Sequence, residues 1–538
     1  MSDPLLCMKS FNADGYQDGQ WKRIVNGVSL TLHKGEVLGL IGESGAGKST
    51  LGIASMGHMR SGCRMAGGSI FFDGIDLTKA SEKQLRELRG VRIAYVAQSA
   101  AASFNPALTI MQQVVETAVV QGVMDLKSAE ARARALFDVL QLPNPEKFGD
   151  SYPHQVSGGQ LQRAMVAMAM VCGPDLIIFD EPTTALDVTT QIEVLVAIRA
   201  AIETYNSAAL YITHDLAVVS QIADRIMVLR HGCEVETGDT RQIIQAPKED
   251  YTRALVSVHH AEQAKPEAET SQTPILDLRT LTASYGAGMK VLDGISITIR
   301  RGETVALVGE SGSGKSTVAR VIAGLLVPSD GEVLFDGQPL LPSYKDRRED
   351  SLRRIQLIYQ MPDVALNPRM KIREVVGRPL EFYFGLKDHQ KEQRVSELLS
   401  RIGLNDGYLD RYPSELSGGE KQRICIARAL AAEPDIIVCD EITSALDPLV
   451  AEGILTLLQE LQDTLNVSYL FITHDLATVK AIADDIVVMF KGRVVEQGPR
   501  SEVLSPPYHE YTERLLSSAP EMDPDWLTNV LRERKVGG

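Results

Sequence analysis

Residues 39–50 read GLIGESGAGKST, and residues 306–317 read ALVGESGSGKST. In each copy an apolar run enters a glycine loop, and the loop leads into a lysine, a serine and a threonine. This is G-x-x-x-x-G-K-[ST] with the flanks its mechanism requires, a buried strand before it and a helix start after it. Glycines let successive backbone N–H groups turn inward around phosphate oxygens, and the helix N-terminus adds the positive end of its dipole. The pattern assigns Gly42, Glu43, Ser44, Gly45, Ala46, Gly47, Lys48, Ser49 and Thr50 to the phosphates of one nucleotide. It assigns Gly309, Glu310, Ser311, Gly312, Ser313, Gly314, Lys315, Ser316 and Thr317 to a second. Lys48 and Lys315 would reach the β- and γ-phosphates, and Ser49 and Ser316 would ligate Mg²⁺. One such loop can arise by chance as a glycine-rich turn; two in repeat register leave little room for that.

The repeat extends well beyond the loop. LIIFDEPTTALD (residues 176–187) returns as IIVCDEITSALD (436–447), VSGGQLQR (156–163) as LSGGEKQR (416–423), and YITHDLA (211–217) as FITHDLA (471–477). The offset is 267 residues at the lysines, 262 at Gln98 and Gln360, and 260 from the signature serines onward. A nearly constant offset over this distance marks a duplicated domain, with small length differences near the start. Between the halves, AEQAKPEAETSQTP (261–274) is polar and without bulky apolar residues, and reads as a linker. Fully extended it spans on the order of 45 Å, enough for the halves to face each other in several ways. The expected organisation is a first domain over 1–260, the linker over 261–274, a second domain over 275–520 and a tail over 521–538.

LIIFDE and IIVCDE are unbroken apolar runs that end in two acids. Strands apolar on both faces belong to buried parallel sheets, whose carboxyl ends carry ligands. Asp180 and Asp440 are therefore candidate Mg²⁺ holders. Glu181 and Glu441, one residue on, are candidate general bases for an attacking water. His214 and His474 each close another apolar strand. Alone, either reads as a core histidine; the matched pair reads as a γ-phosphate sensor. Ser157 to Gln160 and Ser417 to Glu420 have the capping-box spacing of a helix start.

Composition sets limits. The chain has 538 residues with a net charge of −15, which disfavours nucleic-acid wrapping. The N-terminus lacks the basic-then-apolar pattern of a signal peptide. No apolar run reaches 18 residues, so the chain is not expected to span a membrane. The six cysteines show no CxxC spacing, which fits a reducing cytoplasm rather than a disulfide or zinc framework.

Phosphate loop, glutamine, SGG[QE], acid pair, [TS]ALD and THD, in that order and twice, resemble the ATP-binding cassette (ABC) ATPases. The resemblance covers most of the chain. It implies an α/β fold: two P-loop nucleotide-binding domains, each a RecA-like core with an inserted helical subdomain and a small antiparallel β region. It implies ATP and Mg²⁺, with Gln98 and Gln360 contacting the metal and relaying to a membrane partner. It makes Asp187 and Asp447 the D-loop acids. It also implies that the signature turn closes over ATP held by the opposite cassette. Ser157, Gly158, Gly159 and Gln160 would then meet the nucleotide on Lys315, and Ser417, Gly418, Gly419 and Glu420 the one on Lys48. Tyr285 resembles the adenine-stacking aromatic; in the first half Tyr16 and Trp21 both remain open.

Two classes of tandem cassette compete: an importer's energy subunit, and a soluble translation factor with a long charged helical arm between cassettes. The short polar linker leaves no room for such an arm. APKEDYTRALVSVHH (246–260) and PPYHEYTERLLSSAPEMDP (506–524) resemble the tails of oligopeptide, dipeptide and nickel importer ATPases, as do FNPALTI and LNPRMKI after the glutamines. Some members of that group hold an iron–sulfur cluster through tail cysteines; these tails have none, so no cluster is expected. The resemblance implies two transmembrane permease subunits, an extracytoplasmic solute-binding protein acting indirectly, and no need for a homodimer or nucleic acid. It places the chain peripherally on the cytoplasmic face of a bacterial inner membrane. The solute, whether peptide, opine, nickel chelate, glutathione or sugar, is not written in it.

Overall fold

The computed structural model describes residues 3–536 apart from 18, 184–185, 261–272, 287 and 445. Most of the expected linker therefore lies outside the described residues. The chain forms two compact units, Met1–His260 together with Pro520–Gly538, and Ala261–Ala519.

The run before each glycine loop becomes a strand buried at every position, Val37–Gly42 in the first unit and Thr304–Val308 in the second. Such a strand has no solvated face, and it takes an interior place in a six-stranded sheet. In the first unit the order is Cys233–Asp239, Arg225–Arg230, Val37–Gly42, Ala208–Ile212, Leu176–Asp180, Ile93–Val96. All neighbours run parallel except the Cys233–Asp239 edge, which is antiparallel. The second unit repeats this as Arg493–Pro499, Asp485–Phe490, Thr304–Val308, Ser468–Ile472, Ile436–Asp440, Ile355–Ile358. The parallel strands place Gly42, Asp180 and Ile212, and likewise Val308, Asp440 and Ile472, at one end of their sheet. That is the end at which open α/β sheets bind ligands.

A four-stranded antiparallel sheet completes each unit: Gln20–Leu32, Leu6–Gln17, Cys63–Phe72 and Ile75–Asp76 in the first, and Met289–Arg300, Pro274–Tyr285, Asp330–Phe335 and Gln338–Pro339 in the second. Its inner face shares a core with the larger sheet and with the helix after the glycine loop. Leu6, Phe11, Leu38, Leu51, Ile178 and Leu210 meet there in the first unit, and Leu276, Ile295, Leu307, Val318, Val438 and Leu470 in the second. Burying each such side chain contributes about 1.5–3 kcal/mol.

Between the strands Ile93–Val96 and Leu176–Asp180 the chain detours through helices that include Ile110–Val120, Leu126–Val139 and Gly158–Met170. Leu126–Val139 buries Ala129, Ala133, Leu136 and Phe137, spaced as one face of a helix, and Asp125 caps its start. The second unit makes the same detour through Ile372–Phe384, Asp388–Arg401 and Gly418–Leu430. The α/β core, the inserted helices and the antiparallel sheet are those expected from the sequence.

Candidate nucleotide site

The glycine loops are shaped by contacts that only glycine tolerates. Gly42 has φ 146°, and a Cβ there would lie 2.0 Å from the Leu229 carbonyl oxygen. Gly309 has φ 148°, with the Met489 carbonyl oxygen 2.2 Å from its would-be Cβ. The lysines are drawn back over their own loops. Lys48 Nζ donates to the carbonyls of Gly42 (2.6 Å) and Glu43 (2.9 Å); Lys315 Nζ donates to those of Gly309 (2.7 Å) and Glu310 (2.8 Å). Both ammonium groups thus stand at the mouth of the loop where phosphate oxygens would replace carbonyls.

Sheet order brings the acids to the loop. Ser49 Oγ donates to Asp180 Oδ1 at 2.8 Å, and Ser316 Oγ to Asp440 Oδ1 at 3.0 Å. A hydroxyl and a carboxylate are hard oxygen donors suited to Mg²⁺. Glu181 and Glu441 follow at φ 51° and 49°, a left-handed conformation uncommon outside glycine and often found at functional sites. That turn aims each carboxylate at two partners. Gln98 Nε2 donates to Glu181 at 3.1 Å and Gln360 Nε2 to Glu441 at 2.7 Å. His214 Nδ1 lies 3.5 Å from Glu181 Oε1, and His474 Nδ1 3.5 Å from Glu441 Oε1. Lysine, serine, aspartate, glutamate, glutamine and histidine, far apart in sequence, are gathered within each unit.

Burial opposes charge on both histidines, but the facing glutamates outweigh it and raise their pKa above the ordinary 6.5. Burial likewise pushes Glu441 up, and the His474 hydrogen bond and charge more than reverse it, leaving Glu441 below its ordinary value. A raised histidine pKa means the pairing stabilises fully below the unfolded-state value and is lost as pH climbs through the folded one. For Glu441 the sign is opposite, and its contribution is lost as pH falls through its depressed pKa. In nucleotide-free protein, NMR titration should place the His214 and His474 midpoints above 6.5. Glu441→Gln should lower the His474 midpoint alone; an unmoved midpoint would show that the pairing does not set it.

The signature turns are helix N-termini. Ser157 Oγ accepts from Gln160 N at 3.3 Å, and Gln160 Oε1 accepts from Ser157 N at 3.0 Å; Ser417 and Glu420 repeat the box at 3.4 and 2.7 Å. The two glycines inside each box differ. A Cβ at Gly159 would lie 2.1 Å from Thr190 Cγ2, and one at Gly419 2.4 Å from Val450 Cγ1, so these are packing glycines. A Cβ at Gly158 or Gly418 would meet only a leucine methyl, at 3.9 and 3.7 Å. Neither glycine is required by the fold around it. Asp187 and Asp447 cap the next long helices, accepting from Thr190 N and Val450 N.

Tyr285, 44% exposed, stands beside the loop helix, its hydroxyl 3.4 Å from Thr317 Oγ1 and accepting from Arg320 at 2.8 Å. In the first unit Tyr16 and Trp21 pair across their hairpin with ring centroids 5.2 Å apart, and Gly15 takes the register place of Tyr285.

Three residues escaped the sequence reading. Tyr95 Oη donates to Asp180 Oδ2 at 2.5 Å, and Arg60 approaches the same oxygen at 3.6 Å. The repeat counterparts are Leu357 and Val327, so the first acid carries two partners its duplicate lacks. Comparing the halves at these positions exposes the difference, although not its target. Tyr511 in the second terminal helix accepts a hydrogen bond from Glu310 N at 2.9 Å, tying that helix to the glycine loop. Nothing local in the sequence pairs positions so distant.

A family model described as "ABC transporter" matches residues 25–184 and 292–444. One described as "Oligopeptide/dipeptide transporter, C-terminal region" matches 235–279 and 495–536. The glutathione import ATP-binding protein GsiA of Escherichia coli (strain K12) is 36% identical over 565 residues, covering 97% of this chain and 90% of that protein. The protein of the same name from Salmonella typhimurium is 37% identical over 564 residues, with the same coverage.

Proposed function

The chain belongs to the ABC transporter family, and from that premise we propose how its two cassettes divide the work of one ATPase. Its activity is ATP hydrolysis coupled to import of a peptide-like solute. The terminal-region match at 235–279 and 495–536 sets it with importers rather than with soluble tandem-cassette factors.

In the reading proposed, each glycine loop and lysine grip the β- and γ-phosphates of one ATP. Ser49 with Asp180, and Ser316 with Asp440, hold Mg²⁺, which when bound neutralises charge on those phosphates. Glu181 and Glu441 accept a proton from the attacking water, and Gln98 and Gln360 hold those carboxylates in line through the hydrogen bonds described above. His214 and His474 reach from the same glutamates toward the γ-phosphate. The signature turn of each cassette, Ser157 to Gln160 and Ser417 to Glu420, donates backbone N–H groups to the nucleotide on the other. The observation that carries this is the unneeded glycine: Gly158 and Gly418 have room for a side chain in the fold, so their smallness serves something that approaches from outside. Both constellations retain lysine, acid, glutamate and histidine, which supports two hydrolytic sites.

The partners proposed are two transmembrane permeases docked near Gln98 and Gln360, with the chain peripheral to the cytoplasmic face of an inner membrane. No helix among the described residues is long and apolar enough to cross a membrane itself. Apolar side chains stand exposed just after Gln360, Met361 at 59% and Val364 at 79%, and on an inserted helix of the first unit, Val120 at 76%. Glutathione, named in the relatives, indicates the solute class proposed: a short peptide or a thiol tripeptide delivered by a binding protein. Affinity purification from membranes should recover two apolar permease subunits in equal amounts with the chain. Recovery of ribosomal proteins, or of the chain alone, would overturn this placement.

A further inference from the structure

The last stretch of the chain follows the second cassette in sequence but is part of the first unit. Within it, Trp526 and Leu527 are 8% and 0% exposed and cluster with Ile192, Val196, Val530 and Leu531. Gln221, itself 3% exposed, turns both ends of its amide to this segment, while its Nε2 also lies within reach of Ala217 O (3.2 Å) and Ser220 Oγ (2.9 Å) on its own helix. Its Nε2 donates to the carbonyls of Glu521 (2.8 Å) and Asp523 (2.9 Å), and its Oε1 accepts from Leu527 N at 2.9 Å. Arg241 forks onto both oxygens of Asp525 at 2.8 and 2.7 Å, and Arg199 donates to Thr528 at 3.1 Å. A buried side chain that meets three backbone groups of one segment makes a specific seat, because losing the segment takes from the buried Oε1 the Leu527 N–H that it accepts and from Nε2 two carbonyls.

The repeat supplies the control. At the positions of Ile192, Val196, Arg199, Gln221 and Arg241 the second cassette has Glu452, Thr456, Gln459, Ala481 and Ser501. The duplicate surface offers an acid where the first offers the apolar floor, and a methyl where the first offers the amide. The seat therefore exists on one cassette only. It is formed by the helix Val188–Tyr205, which follows Asp187, and by the end of Leu216–Ser220, the helix that follows His214.

We propose that residues 520–536 are a clasp: the chain leaves the first cassette at residue 260, builds the second, and fastens its own end back onto the first. The second cassette is then tethered to the first at both of its ends. Neither tether needs nucleotide, so the pair stays associated when no ATP bridges it. Two tethers hold the halves at high effective concentration, which favours reclosure after each hydrolysis.

The clasp can be separated from the linker and from ATP. A protease site placed between residues 261 and 272 of the full chain is cut after folding, with nucleotide removed, and the two pieces are followed by size-exclusion chromatography and by dilution. The clipped wild type should co-elute. Clipped Leu527→Asp, in the tail, and Gln221→Ala, in the seat, should bind their partner piece at least 30-fold more weakly, and a peptide of residues 520–536 in excess should release the wild-type pieces. Before clipping, Leu527→Asp should keep its melting temperature, which distinguishes a lost clasp from a lost fold. Separation of the clipped wild type, or unchanged affinity in both variants, overturns the proposal. So does an intact chain that elutes as a dimer and becomes a monomer with Leu527→Asp, since the tail would then grip a second copy. Because ATP is absent throughout, these outcomes do not depend on the nucleotide sandwich proposed above.

Discussion

The double variant Glu181→Gln with Glu441→Gln should bind ATP as tightly as the wild type and hydrolyse it about 10²–10⁴-fold more slowly, the usual contribution of a positioned general base. The exchange preserves size, and the glutamine oxygen can still accept from Gln98 or Gln360, so the geometry around the left-handed turn is retained. What is lost is the carboxylate proposed to take a proton from water. The same change removes the charge that keeps His214 and His474 above their ordinary pKa, so both imidazoles should become neutral at lower pH. Binding is read by fluorescent-nucleotide titration and turnover by phosphate release. Turnover close to wild type would remove both glutamates from the chemistry. Each single variant should retain a part of the rate set by the remaining site. Tyr95 and Arg60 on Asp180, absent from Asp440, give a structural reason for the two singles to differ.

Gly158→Asp should separate activity from stability. A carboxylate in the first turn of a helix interacts favourably with the helix dipole, by about 0.3–1 kcal/mol, and the Cβ meets nothing closer than 3.9 Å. The protein should therefore melt at the same temperature or slightly higher. The same carboxylate would face the phosphates of ATP if this turn serves the nucleotide on Lys315. Hydrolysis there should fall by about 10²–10³-fold, comparable with losing a preorganised donor in other enzymes, while ATP binding to Lys48 is unaffected. Gly159→Asp is the internal contrast. Its Cβ would strike Thr190 Cγ2 at 2.1 Å, so stability should fall along with activity. A Gly158→Asp variant with full turnover would show that the turn is only a helix cap.

Much of this protein is legible in its sequence. The duplication follows from matched stretches at a steady offset. The buried strands follow from apolar runs with no polar alternation, and the loop geometry follows from glycines whose φ values no other residue adopts easily. The capping boxes at Ser157 and Ser417 are local spacings, and the structure forms them as read. These features share a physical cause: each is decided by residues within a turn or two of one another, where backbone sterics and side-chain reach leave little choice.

The tertiary structure decided what depends on sheet order and on surfaces meeting. Whether a glycine in the signature is there for packing or for an approaching ligand is set by Thr190 and Val450 on a different helix. The partners of Asp180 come from two other elements, through a tyrosine that reads in sequence as one more apolar strand residue. The tail shows the same limit most plainly. Trp526 and Leu527 look like any terminal amphipathic helix, and their seat is assembled from Ile192, Gln221 and Arg241, side chains unremarkable one by one. Local pattern determined two cassettes and most of the residues of each candidate nucleotide site. Long-range packing, which brings together side chains hundreds of residues apart, decided that the two halves are not equivalent.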